Sequence, residues 1–238
     1  MRIRLPLGRT LFFLLAFLFA LVALLPLRLA LDWFALDDRG FAARAAKGSV
    51  WLGSLSEAQF GTVSLGDLQA QLRSLPLFIG RARVDLERVD EGRRFEGSAT
   101  VSRHSFGVDD LTGAVDVGGA LAPLPIGAID LSDVTAHFAD GLCTSAEGLV
   151  KANVAADIAG VSLPGGLSGN ARCDRGALLL PLASQSGMEA LNLRLFEDGR
   201  YEVELAVRPG DDAMRDRLIQ SGFALSNNGY ALRVSGRF

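Results

Sequence analysis

Lysine is almost missing from this chain: of 24 basic residues among 238, only Lys47 and Lys151 are lysine, and the formal net charge is -3. There is no cationic excess with which to neutralise a phosphate backbone, so nucleic acid is excluded as a partner. Histidine is as scarce. His104 and His137 are the only two, and neither stands at ligand spacing to a cysteine, so no metal site is expected. The chain also lacks a G-x-S-x-G elbow, a phosphate-binding G-x-x-x-x-G-K, an H-E-x-x-H pair and a dinucleotide fingerprint. No catalytic residue and no cofactor can be assigned.

Acidic residues are absent from the first 31 positions, where Arg2, Arg4, Arg9 and Arg28 stand alone. Removing those four from the balance leaves -7 for the remainder, so the two parts face different surroundings. Between the arginines, Thr10 to Leu27 carries no charged side chain, and at about 1.5 Å per residue it would span roughly 27 Å as a helix. With Arg28 snorkelling and Trp33 at interfacial depth, residues 10–31 are expected to form a transmembrane anchor. A cleaved leader is the alternative. Cutting after Ala23 puts Leu21 at position -3, and cutting after Ala30 puts Arg28 there; neither suits a small-residue site, which favours the anchor. By the positive-inside rule residues 1–9 are a cytoplasmic tail and residues 32–238 an exported domain.

Cysteine is the third scarcity, with Cys143 and Cys173 alone and both beyond the apolar run. An oxidising compartment would let them pair, whereas two buried free thiols are the alternative.

Hydrophobic residues are plentiful, at 49%, and beyond residue 40 they mostly alternate with polar ones, as strands require. Leu191, Leu193 and Leu195, then Tyr201, Val203, Leu205 and Val207, flank a turn at Asp198-Gly199 and predict an antiparallel hairpin. A second is expected from Val84, Leu86 and Val89 to Phe95, Ala99 and Val101 around Asp90-Glu91-Gly92, and a third around Asn227-Asn228-Gly229. Helices are expected at Asp211 to Ser221, between aspartates and Gly222, and at Asp37 to Ala46. Gly165 to Asn170 is expected to be a turn. The pairs Asp37-Asp38, Asp109-Asp110 and Asp211-Asp212 suit solvated turns or caps rather than calcium loops. The fold class is mainly β, an N-terminal transmembrane helix followed by many short, mostly antiparallel strands. Pro123 and Pro125 leave room for two sheet segments meeting near Gly119 to Asp130.

The most distinctive stretch is Ala45 to Leu86. Gly48-Ser49-Val50-Trp51-Leu52-Gly53 opens it, Leu65-Gly66-Asp67-Leu68 follows, and Leu75-Pro76-Leu77 closes a third strand before Gly80. This resembles the start of the periplasmic domain in the type II secretion system protein N family, with its short tail, single anchor and G-x-V-W-x-G motif, here Gly48, Val50, Trp51 and Gly53. The likeness continues at Cys143 and Cys173 and at the closing GFALSNNGYALRVSGRF; the family's tryptophan in the third strand is replaced here by the apolar positions Leu72 and Leu75. The resemblance implies a non-enzymatic component of an inner-membrane platform that exports folded proteins through an outer-membrane secretin. Its partners would be the membrane and other inner-membrane and periplasmic secretion subunits. From the residues alone, Trp51 is a packing anchor beside two permissive glycines. Besides a scaffold, two other functions are compatible with the sequence: an anchored β-groove protein that binds or passes lipid, and an envelope hydrolase built on His104 and His137.

Overall fold

The computed structural model describes residues 7–29, 41–88, 94–118, 120–122, 124, 126–154 and 165–237. Trp33, Asp37-Asp38, the Asp90-Glu91-Gly92 turn, Pro123 and Pro125 lie outside them. The helices that can be bounded are α1 (Leu7–Ala23), α2 (Ser74–Leu77) and α3 (Asp212–Gln220), and residues 27–29 are helical as well. The strands are β1 (Phe41–Ala42), β2 (Ala45–Ser49), β3 (Leu52–Phe60), β4 (Val63–Arg73), β5 (Ala82–Arg88), β6 (Phe95–Val101), β7 (Ser105–Asp116) and β8 (Ile126–Ala139). They continue as β9 (Leu142–Val154), β10 (Leu167–Asn170), β11 (Arg172–Asp174), β12 (Ala177–Ala183), β13 (Glu189–Leu195), β14 (Arg200–Val207), β15 (Ala224–Ser226) and β16 (Gly229–Arg237).

All sixteen strands belong to one antiparallel sheet, ordered β1-β3-β4-β5-β6-β7-β8-β9-β10-β12-β13-β14-β16-β15, with β2 on β3 and β11 on β12. The alternation in the sequence sets which face is buried. Leu191 faces Leu205, Leu193 faces Val203 and Leu195 faces Tyr201 across β13 and β14, as the hairpin pattern predicts. The final hairpin forms as expected, with Ser226 opposite Gly229. Helix α3 begins at the predicted cap, where the Asp211 carboxylate accepts from the Met214 amide at 2.6 Å.

A sheet this wide has to curl, and three bulges supply bends. Glu57, Asp110 and Asp133 each take a positive φ within β3, β7 and β8. The bulge leaves each backbone N–H without a ladder partner, and a neighbouring strand's side chain accepts it: Asp67 Oδ1 for Glu57 (2.7 Å), Thr135 Oγ1 for Asp110 (3.1 Å) and Thr112 Oγ1 for Asp133 (3.0 Å). Opposite Asp133 stands Gly148, at φ +107°, where a Cβ would collide with the Asp133 carbonyl oxygen and lie 2.5 Å from Val134 Cα. Asp109-Asp110 is therefore not a solvated turn but the bent middle of a strand.

The face of the sheet that the alternation buries holds the core. Leu167, Leu182, Leu191, Leu205 and Leu218 are at most 1% exposed. The connection after β7 and helix α3 pack onto this face through Leu121, Leu124 and Leu218, and Tyr201 donates its hydroxyl to the Ala120 carbonyl at 2.9 Å. A smaller cluster of Leu27, Val50, Leu55, Ala58, Leu68, Ala70 and Phe95 fills the N-terminal end, and Leu111 and Val115 touch both.

Besides Asp109-Asp110, three expectations and one alternative need correction. Residues 41–46 are not helical: β1 pairs with β3 at Phe41–Phe60, and β2 pairs with it at Ala45–Ser56, because the edge of β3 offers an unpaired ladder. Gly165 to Asn170 contains strand β10 rather than only a turn. The sheet does not divide near Gly119 to Asp130, since β7 and β8 pair from Ser105–Ala139 to Asp116–Ala128. The apolar run is not one continuous helix either: α1 stops at Ala23 after 17 residues, because Pro26 cannot donate a helical hydrogen bond and disfavours helix at Leu25, and helical residues resume only at 27–29. Among the described residues no helix is both long and apolar enough to cross a membrane.

Candidate functional site

The Gly48–Gly53 motif forms the turn of the first hairpin. Ser49 pairs with Leu52, which leaves Val50 and Trp51 as the two turn residues, and Ser49, Val50 and Trp51 each meet the chain at the exit of α1. The last carbonyls of a helix have no partner inside it, and the motif provides one: Trp51 Nε1 donates to the Val22 carbonyl oxygen at 2.9 Å. One residue earlier, the Val50 amide donates to the Leu25 carbonyl oxygen at 3.0 Å, and the Val50 carbonyl oxygen accepts from the Leu72 amide at 3.1 Å. Pro26 bridges to Ser49. The chain leaving the helix is thus stitched to the sheet over the six residues Val22 to Leu27, through the carbonyls of Val22 and Leu25, the bridge at Pro26, and then the side chain of Leu27, which is buried in one cluster with Val50, Leu55 and Leu68.

Both glycines of the motif have a physical reason, beyond the permissiveness expected from the sequence. Gly48 holds a φ of +87° and any Cβ would lie 2.5 Å from the Leu52 carbonyl oxygen. Gly53 has an ordinary φ, but its missing side chain is the space that Leu27 occupies: a Cβ there would stand 2.5 Å from Leu27 Cδ2. Val50 is the buried member of the turn at 6% exposure, while the Trp51 ring is only half-buried. The tryptophan therefore works as a cap more than as a core anchor. Replacing it as Trp51→Phe should keep most of the packing and remove the hydrogen bond, lowering stability by about 1 kcal/mol in urea titrations. An unchanged midpoint in Trp51→Phe would show that the indole N–H contributes nothing.

The participants missed from the sequence are Val22, Leu25, Pro26 and Leu72. Pro26 inside the apolar run was the available signal, since proline marks a helix boundary. Leu72 is half-buried at the end of β4, but Leu75 is not its strand companion: β4 ends at Arg73, and Leu75 is 80% exposed on α2.

The cysteines are joined in a disulfide, Cys143 on β9 to Cys173 on β11, with Cα atoms 5.5 Å apart. It lies far along the chain from the motif and marks a seam in the sheet. Strand β10 pairs with β9 from Leu167–Ala152 to Asn170–Leu149, then the chain changes partner at Ala171 and β11 pairs with β12. The staple joins the two sheet portions where their ladder has parted.

The histidines fall in separate settings. His137 Nε2 lies 2.8 Å from Asp109 Oδ1, whose other oxygen accepts from Thr100 Oγ1 at 3.2 Å. His104 is exposed in the turn after β6, with Nδ1 3.7 Å from the exposed Asp140, a carboxylate that the sequence neighbourhood did not show. Among the described residues no hydroxyl or thiol is hydrogen-bonded to either ring, and no three acidic, histidine or cysteine side chains are placed to hold a metal ion. Two surface hollows, of about 250 and 270 Å³, have mixed linings: Gln69, Gln71 and Glu87 with Leu52 and Leu86 in the first, Asp109 and Asp110 in the second, and neither is a continuous apolar trough.

A single curled antiparallel sheet, stapled by one disulfide and bolted through its first hairpin to an apolar helix, defines a helix-tethered β domain. A family model described as type II secretion system (T2SS), protein N matches residues 39–233. The chain belongs to that family, and so is a type II secretion system component. No curated protein and no solved structure matches it.

Proposed function

We propose that this protein acts by binding rather than catalysis, as a scaffold or assembly component of the inner-membrane secretion platform. In this reading the apolar N-terminal region sits in the inner membrane with residues 1–9 cytoplasmic, and the β domain projects into the periplasm, where it contacts other secretion subunits. The observation that carries it is the bolting of the Gly48–Gly53 turn to the exit of α1. A domain joined to its tether by a loose linker could sample any orientation, whereas one hydrogen-bonded to the helix end through Val22 and Leu25 presents its sheet in a fixed attitude. Fixed attitude is what a scaffold needs. Along α1 the side chains from Leu11 to Val22 are exposed, including Phe12, Phe13, Phe17 and Phe19, which suits burial in lipid.

Copurification from detergent-solubilised membranes is the test: secretion subunits should accompany the chain in stoichiometric amounts. Bound phospholipid without protein partners would instead favour a lipid-carrying groove. The covered core face speaks against that groove, since α3 and the connection after β7 already pack on the leucines a lipid tail would need. Replacing both histidines, as His104→Gln with His137→Gln, should leave export of a type II substrate unchanged in a strain lacking the native gene. A stable, abundant but inactive double variant would overturn the non-catalytic reading.

A further inference from the structure

The connection from β4 to β5 is more apolar than a solvent-facing tip should be. Its helical turn α2 and the residues after it expose Leu75 (80%), Leu77 (39%), Phe78 (87%) and Ile79 (72%). Large apolar side chains scattered singly need no explanation, but four within five residues on one turn do. The backbone of the tip is also unusually self-sufficient: Phe78, Ile79, Gly80 and Arg81 donate to Leu75, Pro76, Leu77 and Pro76 carbonyls at 3.0–3.3 Å. A turn whose amides are paired internally can leave water without stranding them.

Its place in the fold suggests what covers it. The Leu72 amide, at the end of β4, donates to Val50, and the Val50 amide donates to Leu25 at the exit of α1, so the tip emerges at the same end of the sheet as the apolar helix. Its flanks are cationic: Arg73 and Arg83 share the single carboxylate of Asp85, and Arg81 is exposed with no ion pair among the described residues. Apolar side chains at the tip with arginines just behind them match the layering of an anionic bilayer surface, acyl chains beneath phosphate headgroups.

We infer that the Leu75–Ile79 tip is a second membrane contact, dipping into the headgroup and acyl boundary beside the exit of α1. It rests on the reading that α1 is seated in the membrane. The helix seam fixes the sheet relative to α1, and the tip as a second point of attachment would fix the tilt of both relative to the bilayer.

The test uses the full chain with its disulfide intact, reconstituted into vesicles of phosphatidylethanolamine and phosphatidylglycerol. An environment-sensitive dye is attached to one introduced cysteine at a time: Phe78→Cys or Ile79→Cys at the tip, Phe17→Cys on α1, and Thr62→Cys at the opposite end of β4. An interfacial element lies about 5–10 Å into the boundary, so dye at 78 or 79 should shift to the blue and lose roughly half its emission with a shallow lipid-borne quencher. Dye at 62 should be unaffected. Quenching at 17 with tip positions behaving like 62 would overturn the tip contact and leave the anchor reading intact. Quenching at the tip but not at 17 would support the contact and overturn the anchor. If neither is quenched and the tip instead cross-links to a secretion subunit, its partner is protein and the inference is wrong.

Discussion

Cys143→Ser should lower the stability of the β domain by about 3–4 kcal/mol, the chain-entropy value for a loop of 30 residues. The position of the staple makes the full loss the expected one. Between β9 and β12 the sheet is held by β10, which pairs with β12 only at Ser168–Ala183, and by β11, which pairs only with β12. Without the disulfide the five C-terminal strands have the shared leucine core and the short β10 ladder to keep them in register. What remains at the break are two backbone bonds, from the Cys143 amide to the Gly176 carbonyl at 2.8 Å and from the Ala171 amide to the Gly148 carbonyl at 2.9 Å, and beside them the Arg194 guanidinium donates to Asp174 at 2.9 Å across β12. That hydrogen bond holds the Asp174 carboxyl below its ordinary value of 3.8. A depressed carboxylate contributes stability that is fully present above 3.8 and is lost as pH falls through the lower folded value. The serine variant should keep the small acid sensitivity that the native chain has from this pair, below about pH 4, and Asp174→Asn should remove it from both. Urea unfolding with and without reductant is the measurement. Equal midpoints for the native chain under both conditions would show that the bond carries none of the stability.

Much of this architecture is legible in the sequence because one face of the sheet is buried. Burial on one side forces the period-two pattern, so the leucines of β13 and the facing Tyr201, Val203 and Leu205 of β14 could be paired residue by residue before any fold was known. The bulges were illegible for an equally physical reason. Aspartate and glycine are the residues that tolerate positive φ, whether in a turn or inside a bulged strand, so Asp109-Asp110 carries the composition of a turn while sitting mid-strand. Composition misled again at residues 41–46, where alanines and arginine favour helix, and the decisive factor, an unpaired edge of β3, lies elsewhere in the chain. The motif shows the remaining limit. Gly48, Val50, Trp51 and Gly53 could be singled out by resemblance, but their shared contact with Val22 to Leu27 joins segments about 25 residues apart that no local pattern connects.

That contact carries the second large effect. Gly53→Ala places a methyl group 2.5 Å from Leu27 Cδ2 and 3.0 Å from the Ser49 carbonyl oxygen, so either Leu27 or the hairpin must yield. Overpacking of this kind costs about 1–3 kcal/mol, and Leu27→Ala should cost about 2–5 kcal/mol through the cavity it leaves among Val50, Leu55 and Leu68. The informative variant is the double one. If Gly53 is glycine in order to admit Leu27, then shortening Leu27 removes the collision, and the two losses together should fall short of their sum by about 1 kcal/mol or more. Additive losses would mean that the glycine answers to the hairpin alone. Export separates stability from attachment: Gly53→Ala should keep a folded sheet with its disulfide formed, yet release the chain from the helix exit and reduce secretion of a type II substrate. The double variant, with room restored but the leucine contact gone, should not recover it. Recovery of export in the double variant would show that the collision, rather than loss of the seam, is what impairs function.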